Sequence, residues 1–207
     1  MRCFLYSVLA CLLFQCKSDY HALSPASMDE ACATRLVPKL APASVYQASI
    51  DVTGHHLSGL LVIKAMTDST WRAVFTNEAG VTFVDLGFNA DGTFTVHHAI
   101  RQLNRKPILT TLSKDFALVI GLPFQHGQLS RFTAGDDVYF GVRQKNESYY
   151  FITRKDCAYL HRMERGSDRK RVVSIDVTGT AYPTPSQLML RHHTFDMQIK
   201  LNRIERE

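Results

Sequence analysis

From residue 45 onward the chain breaks into short runs of alternating apolar and polar residues, separated by glycine, asparagine and aspartate turns. That rhythm leaves few folds open. Five runs come first, at 45–53, 57–66, 70–77, 80–88 and 92–98. They are divided at Gly54-His55, Thr67-Asp68-Ser69, Glu78-Ala79-Gly80 and Asn89-Ala90-Asp91-Gly92. Connections this short join antiparallel neighbours, because a parallel pair needs a crossover of a dozen or more residues. Six further runs are expected at 137–144, 147–154, 157–165, 171–179, 186–192 and 195–204. In the last, Phe195, Met197, Ile199 and Leu201 alternate with Asp196, Gln198, Lys200 and Asn202, giving one dry face and one wet face.

One stretch has the other period. Ile108, Leu109, Leu112, Phe116, Val119 and Ile120 form a single stripe at about 3.6 residues per turn, so 105–120 reads as a helix. Gly121 and Pro123 stop it, and 122–135 reads as a loop. No strand–helix–strand alternation appears, which argues against α/β folds. The expected class is mainly β (α+β): a curved antiparallel sheet or incomplete barrel of about eleven strands, with a helix inserted after the fifth.

The amino end carries a different signal. Arg2 precedes an apolar run of eleven residues at 4–14, too short to span a bilayer, which takes about 20. Polarity then changes abruptly at Gln15, Cys16, Lys17, Ser18 and Asp19. A cysteine at that edge resembles the lipobox of bacterial lipoproteins, with Leu13 matching and Phe14 and Gln15 standing where small residues are usual. Two other readings stay open. Val8-Leu9-Ala10-Cys11 matches the box better, but leaves a very short leader and puts Leu12-Leu13-Phe14 after the cut. The second is an ordinary signal peptide without lipid. All three export the chain. The division expected is a signal peptide over 1–15, a lipidated (palmitate-type) amino terminus and tether over 16–43, and a β domain over 44–207. The tether reading rests on Ser24-Pro25, Pro38 and Pro42, with a short helix near 28–36. With Cys16 acylated, Cys32 and Cys157 either pair or remain two thiols, and their spacing does not choose.

Composition narrows the function classes. The chain has 207 residues, of which 45% are hydrophobic and 21% charged, so neither disorder nor a multi-span membrane protein fits. The net charge of +5 is dispersed, and the densest basic cluster, 162–171, also holds Glu164 and Asp168. A nucleic-acid partner is therefore not expected. The histidine pairs His55-His56, His97-His98 and His192-His193 read as exposed turn residues, because neighbours on a strand point to opposite faces and do not converge on a metal. Asp85 and Asp136-Asp137 read as solvated acids. Gly-x-Ser-x-Gly, Cys-x-x-Cys and glycine-rich phosphate loops are absent from the sequence. No enzyme, cofactor or metal site is expected.

Eleven antiparallel strands with a helix after the fifth, behind such a leader, resemble the LolA/LolB-like lipoprotein carrier superfamily. The similarity rests on 58–66 leading into 70–75, the helix over 104–121, and the closing hairpin from Tyr182-Pro183 to Ile204. It implies a non-enzymatic lipoprotein of the Gram-negative outer membrane that binds an acyl chain or amphiphile, or helps handle lipoproteins. The alternative is an accessory envelope subunit that docks a protein partner. Leu61, Ile63, Trp71, Phe75 and Phe83, facing Leu112 and Phe116, line an apolar cavity if the helix stands off the sheet. If it packs closely, the same residues are an ordinary core.

Overall fold

The computed structural model describes residues 18–125, 127–179 and 184–204. The expected signal peptide, Cys16 and the Tyr182-Pro183 start of the closing hairpin lie outside the described residues. The described chain is mainly β, with thirteen antiparallel strands in one curved, unclosed sheet. In chain order these are β1 (Ser24–Ala26), β2 (Ala43–Val52), β3 (His55–Ala65), β4 (Trp71–Thr76), β5 (Thr82–Phe88) and β6 (Phe94–Ala99), then β7 (Ser130–Ala134), β8 (Asp137–Gln144), β9 (Glu147–Arg154), β10 (Arg162–Gly166), β11 (Arg171–Thr178), β12 (Gln187–His192) and β13 (Met197–Arg203). Helix α1 (Glu30–Leu36) follows β1, and α2 (Lys106–Ile120) follows β6 and runs into a 3₁₀ turn at Leu122–Phe124.

The spatial order is β1-β7-β8-β9-β10-β11-β12-β13-β2-β3-β4-β5-β6. Two meanders are thus joined by the β13–β2 pair, and β1 and β6 are left as edges. The alternation in sequence decides which faces turn inward. Tyr46, Ala48, Ile50 and Val52 of β2 face the core, as do Met197, Ile199 and Leu201 of β13. Curvature needs glycine at tight points. A Cβ on Gly59 would lie 1.9 Å from the Thr76 carbonyl oxygen, so only glycine fits where β3 passes the end of β4.

All eleven expected strands are present, and the structure adds β1 and β7. Strand β10 starts later than expected because Cys157 takes a positive φ of 52° and 157–161 forms a loop. Strand β7 replaces part of the expected loop at 122–135. The larger correction concerns 16–43, expected to be a tether. From Ser18 onward this segment is folded. Ser24–Ala26 pairs with β7, with Pro25 opposite Phe132 on an edge where its missing N–H is tolerated. Helix α1 is capped by the Asp29 carboxylate, which accepts from the Cys32 N–H at 3.0 Å, and it buries Cys32, Ala33 and Leu36. Cys32 is disulfide-bonded to Cys157, 125 residues away. Closing so long a loop restricts the unfolded chain strongly, and bridges of this kind contribute about 2–4 kcal/mol.

The amino-terminal segment also covers the outer face of the second meander. Strand β9 is buried on both faces: Phe151 points into the core, stacked on Phe140 at 5.1 Å, while Tyr150 on the other side meets Tyr20 at 5.1 Å.

Candidate functional site

Helix α2 links the two meanders in sequence, between β6 and β7. Pro107 sits in its first turn, and Gly121 caps it at φ 85°, donating its N–H to the Ala117 and Leu118 carbonyls. A Cβ on Gly121 would come within 2.5 Å of the Pro38 carbonyl oxygen, so the cap also allows the segment after α1 to pack against the end of α2. The apolar stripe points inward as expected. Leu112, Phe116, Leu61, Ile63 and Phe75 are all fully buried at 0% exposure in one hydrophobic cluster, and Trp71 and Phe83 pack partly buried against it. Phe83 reaches that side because the β4–β5 ladder bulges there, which brings its ring to 5.0 Å from Phe75. These seven residues are thus brought together, but as packed interior.

Open space lies one helical face away. A pocket of about 240 Å³ is lined by Ser113, Lys114 and Ala117 of α2 and by Leu122 and Pro123 of the 3₁₀ turn. Phe88, Ala90, Asp91, Gly92 and Phe94 line it from the β5–β6 hairpin, and Gln144 and Tyr149 from the β8–β9 hairpin. It therefore lies between the β5–β6 hairpin at one edge of the sheet and the β8–β9 hairpin of the other meander. Its volume is just below the roughly 300–1,000 Å³ usual for small-molecule sites. That suits the end of a single chain and not a whole lipid.

Beside the pocket α2 carries an ion network that runs from half-exposed Lys114 into the interior. Lys114 Nζ lies 2.9 Å from both Glu147 oxygens, and the Tyr149 hydroxyl donates to Glu147 Oε2 at 2.8 Å. Arg165 links this group to Asp115, donating from Nη1 to Glu147 at 3.1 Å and from Nη2 to Asp115 Oδ1 at 3.3 Å. His192 Nε2 completes it, 2.7 Å from Asp115 Oδ2. The side chains of Asp115 and His192 are fully buried, and that of Arg165 is 5% exposed. Burial acts to raise the Glu147 carboxyl, but hydrogen bonds from Lys114 and Tyr149 and the Arg165 charge outweigh it and hold it below the usual carboxylate range. Burial, then the Glu147 charge, push the Tyr149 phenol well above its ordinary value. His192 Nδ1 has no hydrogen-bond partner, and among the described residues no hydroxyl or thiol bonds to this ring.

The histidine pairs differ from one another. His55, His56, His97 and His98 are exposed as expected, although they lie on β3 and β6 and not in turns. His192 overturns the expectation, since its side chain is sealed against Asp115. A signal was available: Leu188, Leu190 and His192 alternate on one face of β12, and Asp115 stands three residues after Leu112 on the buried stripe. The expected solvated acids are also partly engaged. Asp85 takes a two-pronged contact from Arg72 at 2.8 and 2.6 Å, which lowers its carboxyl, and Asp137 pairs with Arg154 and Arg162. Asp29, Cys32 and Cys157 converge closely enough for a metal, but the two sulfurs are bonded to each other and the carboxylate caps α1.

No family model and no curated protein matches this chain. Among solved structures, a DUF1329 family protein from Desulfovibrio piger is similar in outline, with a TM-score of 0.44 and 10% identity, covering 85% of this chain and 87% of that one. A likeness at that level carries no information about function.

Proposed function

We propose that this protein is a non-enzymatic lipoprotein of the cell envelope, anchored through Cys16, that holds the end of an acyl chain or similar amphiphile at the α2 pocket. The observation that carries the reading is the pocket itself. It lies where helix α2 meets the β5–β6 and β8–β9 hairpins, combining apolar Phe88, Phe94, Ala117 and Leu122 with polar Lys114, Gln144 and Tyr149. The Cys32–Cys157 disulfide supports an oxidising compartment outside the cytosol, in keeping with export. The LolA/LolB-like resemblance supports the same class of work, with the outer membrane of a Gram-negative cell as its place.

A second reading, an accessory subunit that docks a protein partner, has its own observation. Strand β6 is an open edge, with Phe94 and Val96 each 37% exposed.

The anchor is tested by metabolic labelling with a clickable fatty acid followed by membrane fractionation. Cys16→Ala is expected to abolish both label and membrane association, since two acyl chains are what stable attachment requires. Label persisting in the variant moves the lipid elsewhere.

A further inference from the structure

The folding of 18–26 onto the sheet changes where an acylated Cys16 would place the domain. The Ser18 hydroxyl donates to the Asp168 carbonyl at 3.2 Å, and the Asp19 N–H donates to the Arg169 carbonyl at 2.8 Å. The Asp19 carboxylate accepts from the Arg171 N–H at 2.8 Å. The chain is therefore fixed to the β10–β11 turn from Ser18 onward. Cys16 is two residues earlier, and two residues span at most about 7 Å. A free tether over 16–43 would have let the domain range roughly 30 Å from its anchor.

The surface around that point is basic. The β8–β9 turn stands beside the β10–β11 turn because β9 pairs with β10, and Arg143 Nη2 bonds Asp168 between them at 2.7 Å. That bond neutralises Asp168, while the Asp19 carboxylate is held by the Arg171 backbone N–H and keeps its charge. Lys145, Arg169 and Lys170 remain exposed, and among the described residues their side chains have no acidic partner. The next turn along this rim, 193–196, presents Phe195 at 38% exposure.

We propose that the β8–β9 and β10–β11 turns form the membrane-facing side of the domain, with Lys145, Arg169 and Lys170 seated on anionic lipid headgroups. The orientation rests on Cys16 as the acylated residue. The headgroup contact itself follows from the charge of the turns. About 7 Å of chain keeps these cations within a Debye length of the bilayer, about 8 Å at physiological salt. Seated this way the domain also brings the pocket close to the bilayer, because Gln144, which lines it, directly precedes Lys145.

The test is flotation of the mature chain, residues 16–207 without the apolar leader, with vesicles of phosphatidylcholine alone or with roughly one third phosphatidylglycerol. Three proteins are compared: the natural chain, Cys16→Ala, and Cys16→Ala carrying Lys145→Gln, Arg169→Gln and Lys170→Gln. Cys16→Ala is expected to bind the anionic vesicles weakly and in a salt-sensitive way, and to ignore the neutral ones. The triple charge substitution is expected to lower that affinity about a hundredfold, close to fivefold for each cation removed near an anionic surface. Unchanged thermal melting of the charge variant confirms that it folds. Equal binding to both vesicles, or no loss in the charge variant, overturns the proposal. Mass spectrometry of the amino-terminal peptide reports acylation separately, so a chain without lipid counts against the anchor and leaves the headgroup result standing.

Discussion

Asp115→Ala is expected to destabilise the protein by about 3–5 kcal/mol, the loss typical of removing one partner from a buried ion pair. Arg165 and His192 would both stay in the interior without their acceptor, at 3.3 and 2.7 Å from the oxygens removed. Glu147 still pairs with Arg165 Nη1 at 3.1 Å, so the cost comes from the buried Nη2 and the His192 ring losing their acceptor. Replacing Asp115, Arg165 and His192 together by Leu, Met and Leu is therefore expected to recover most of it, since apolar residues of similar volume carry no desolvation penalty. Urea unfolding reads both results as midpoints at constant slope. A loss below about 1 kcal/mol in Asp115→Ala would mean that water reaches the network, because exposed pairs are worth that little.

Phe116→Ala is expected to cost about 3–5 kcal/mol, the range for truncating a fully enclosed aromatic. Phe116 has 0% exposure and lies one turn from Leu112 in the central cluster, while the pocket takes Ser113, Lys114 and Ala117 instead. The void would thus open in packed interior and not beside existing space. A loss of only about 1–2 kcal/mol, measured by the same unfolding, would show that α2 stands off the sheet at this point.

Much of the architecture was legible because each strand carries its own instruction. Residues 137–144 and 147–154 are two strand-type runs separated at Lys145-Asn146, and the structure places β8 and β9 over the same spans. Strand β1 was hidden because three residues containing a proline have no period to detect, and its pairing depends on Phe132, far along the chain. The Cys32–Cys157 bridge could not be chosen from spacing, since α1 had first to fold against the sheet.

The site was less legible than the fold. Helical periodicity says which face of α2 turns inward, but not which neighbouring face is left partly empty. The pocket therefore sits at Ala117 and not at Leu112 and Phe116. The ion network draws on residues 114, 115, 147, 165 and 192, which no local pattern connects. Single polar residues in apolar rows, Asp115 on α2 and His192 on β12, were its only trace.

The central claim is that the α2 pocket holds an acyl chain, and titration with a fluorescent fatty acid tests it most directly. The wild-type protein is compared with Ala117→Trp, in which a bulky side chain grows from the pocket lining into its about 240 Å³. The account predicts saturable binding at one equivalent by the wild type and its loss in Ala117→Trp, with the unfolding midpoint little changed. Absence of binding by the wild type, or equal binding by both proteins, would contradict it.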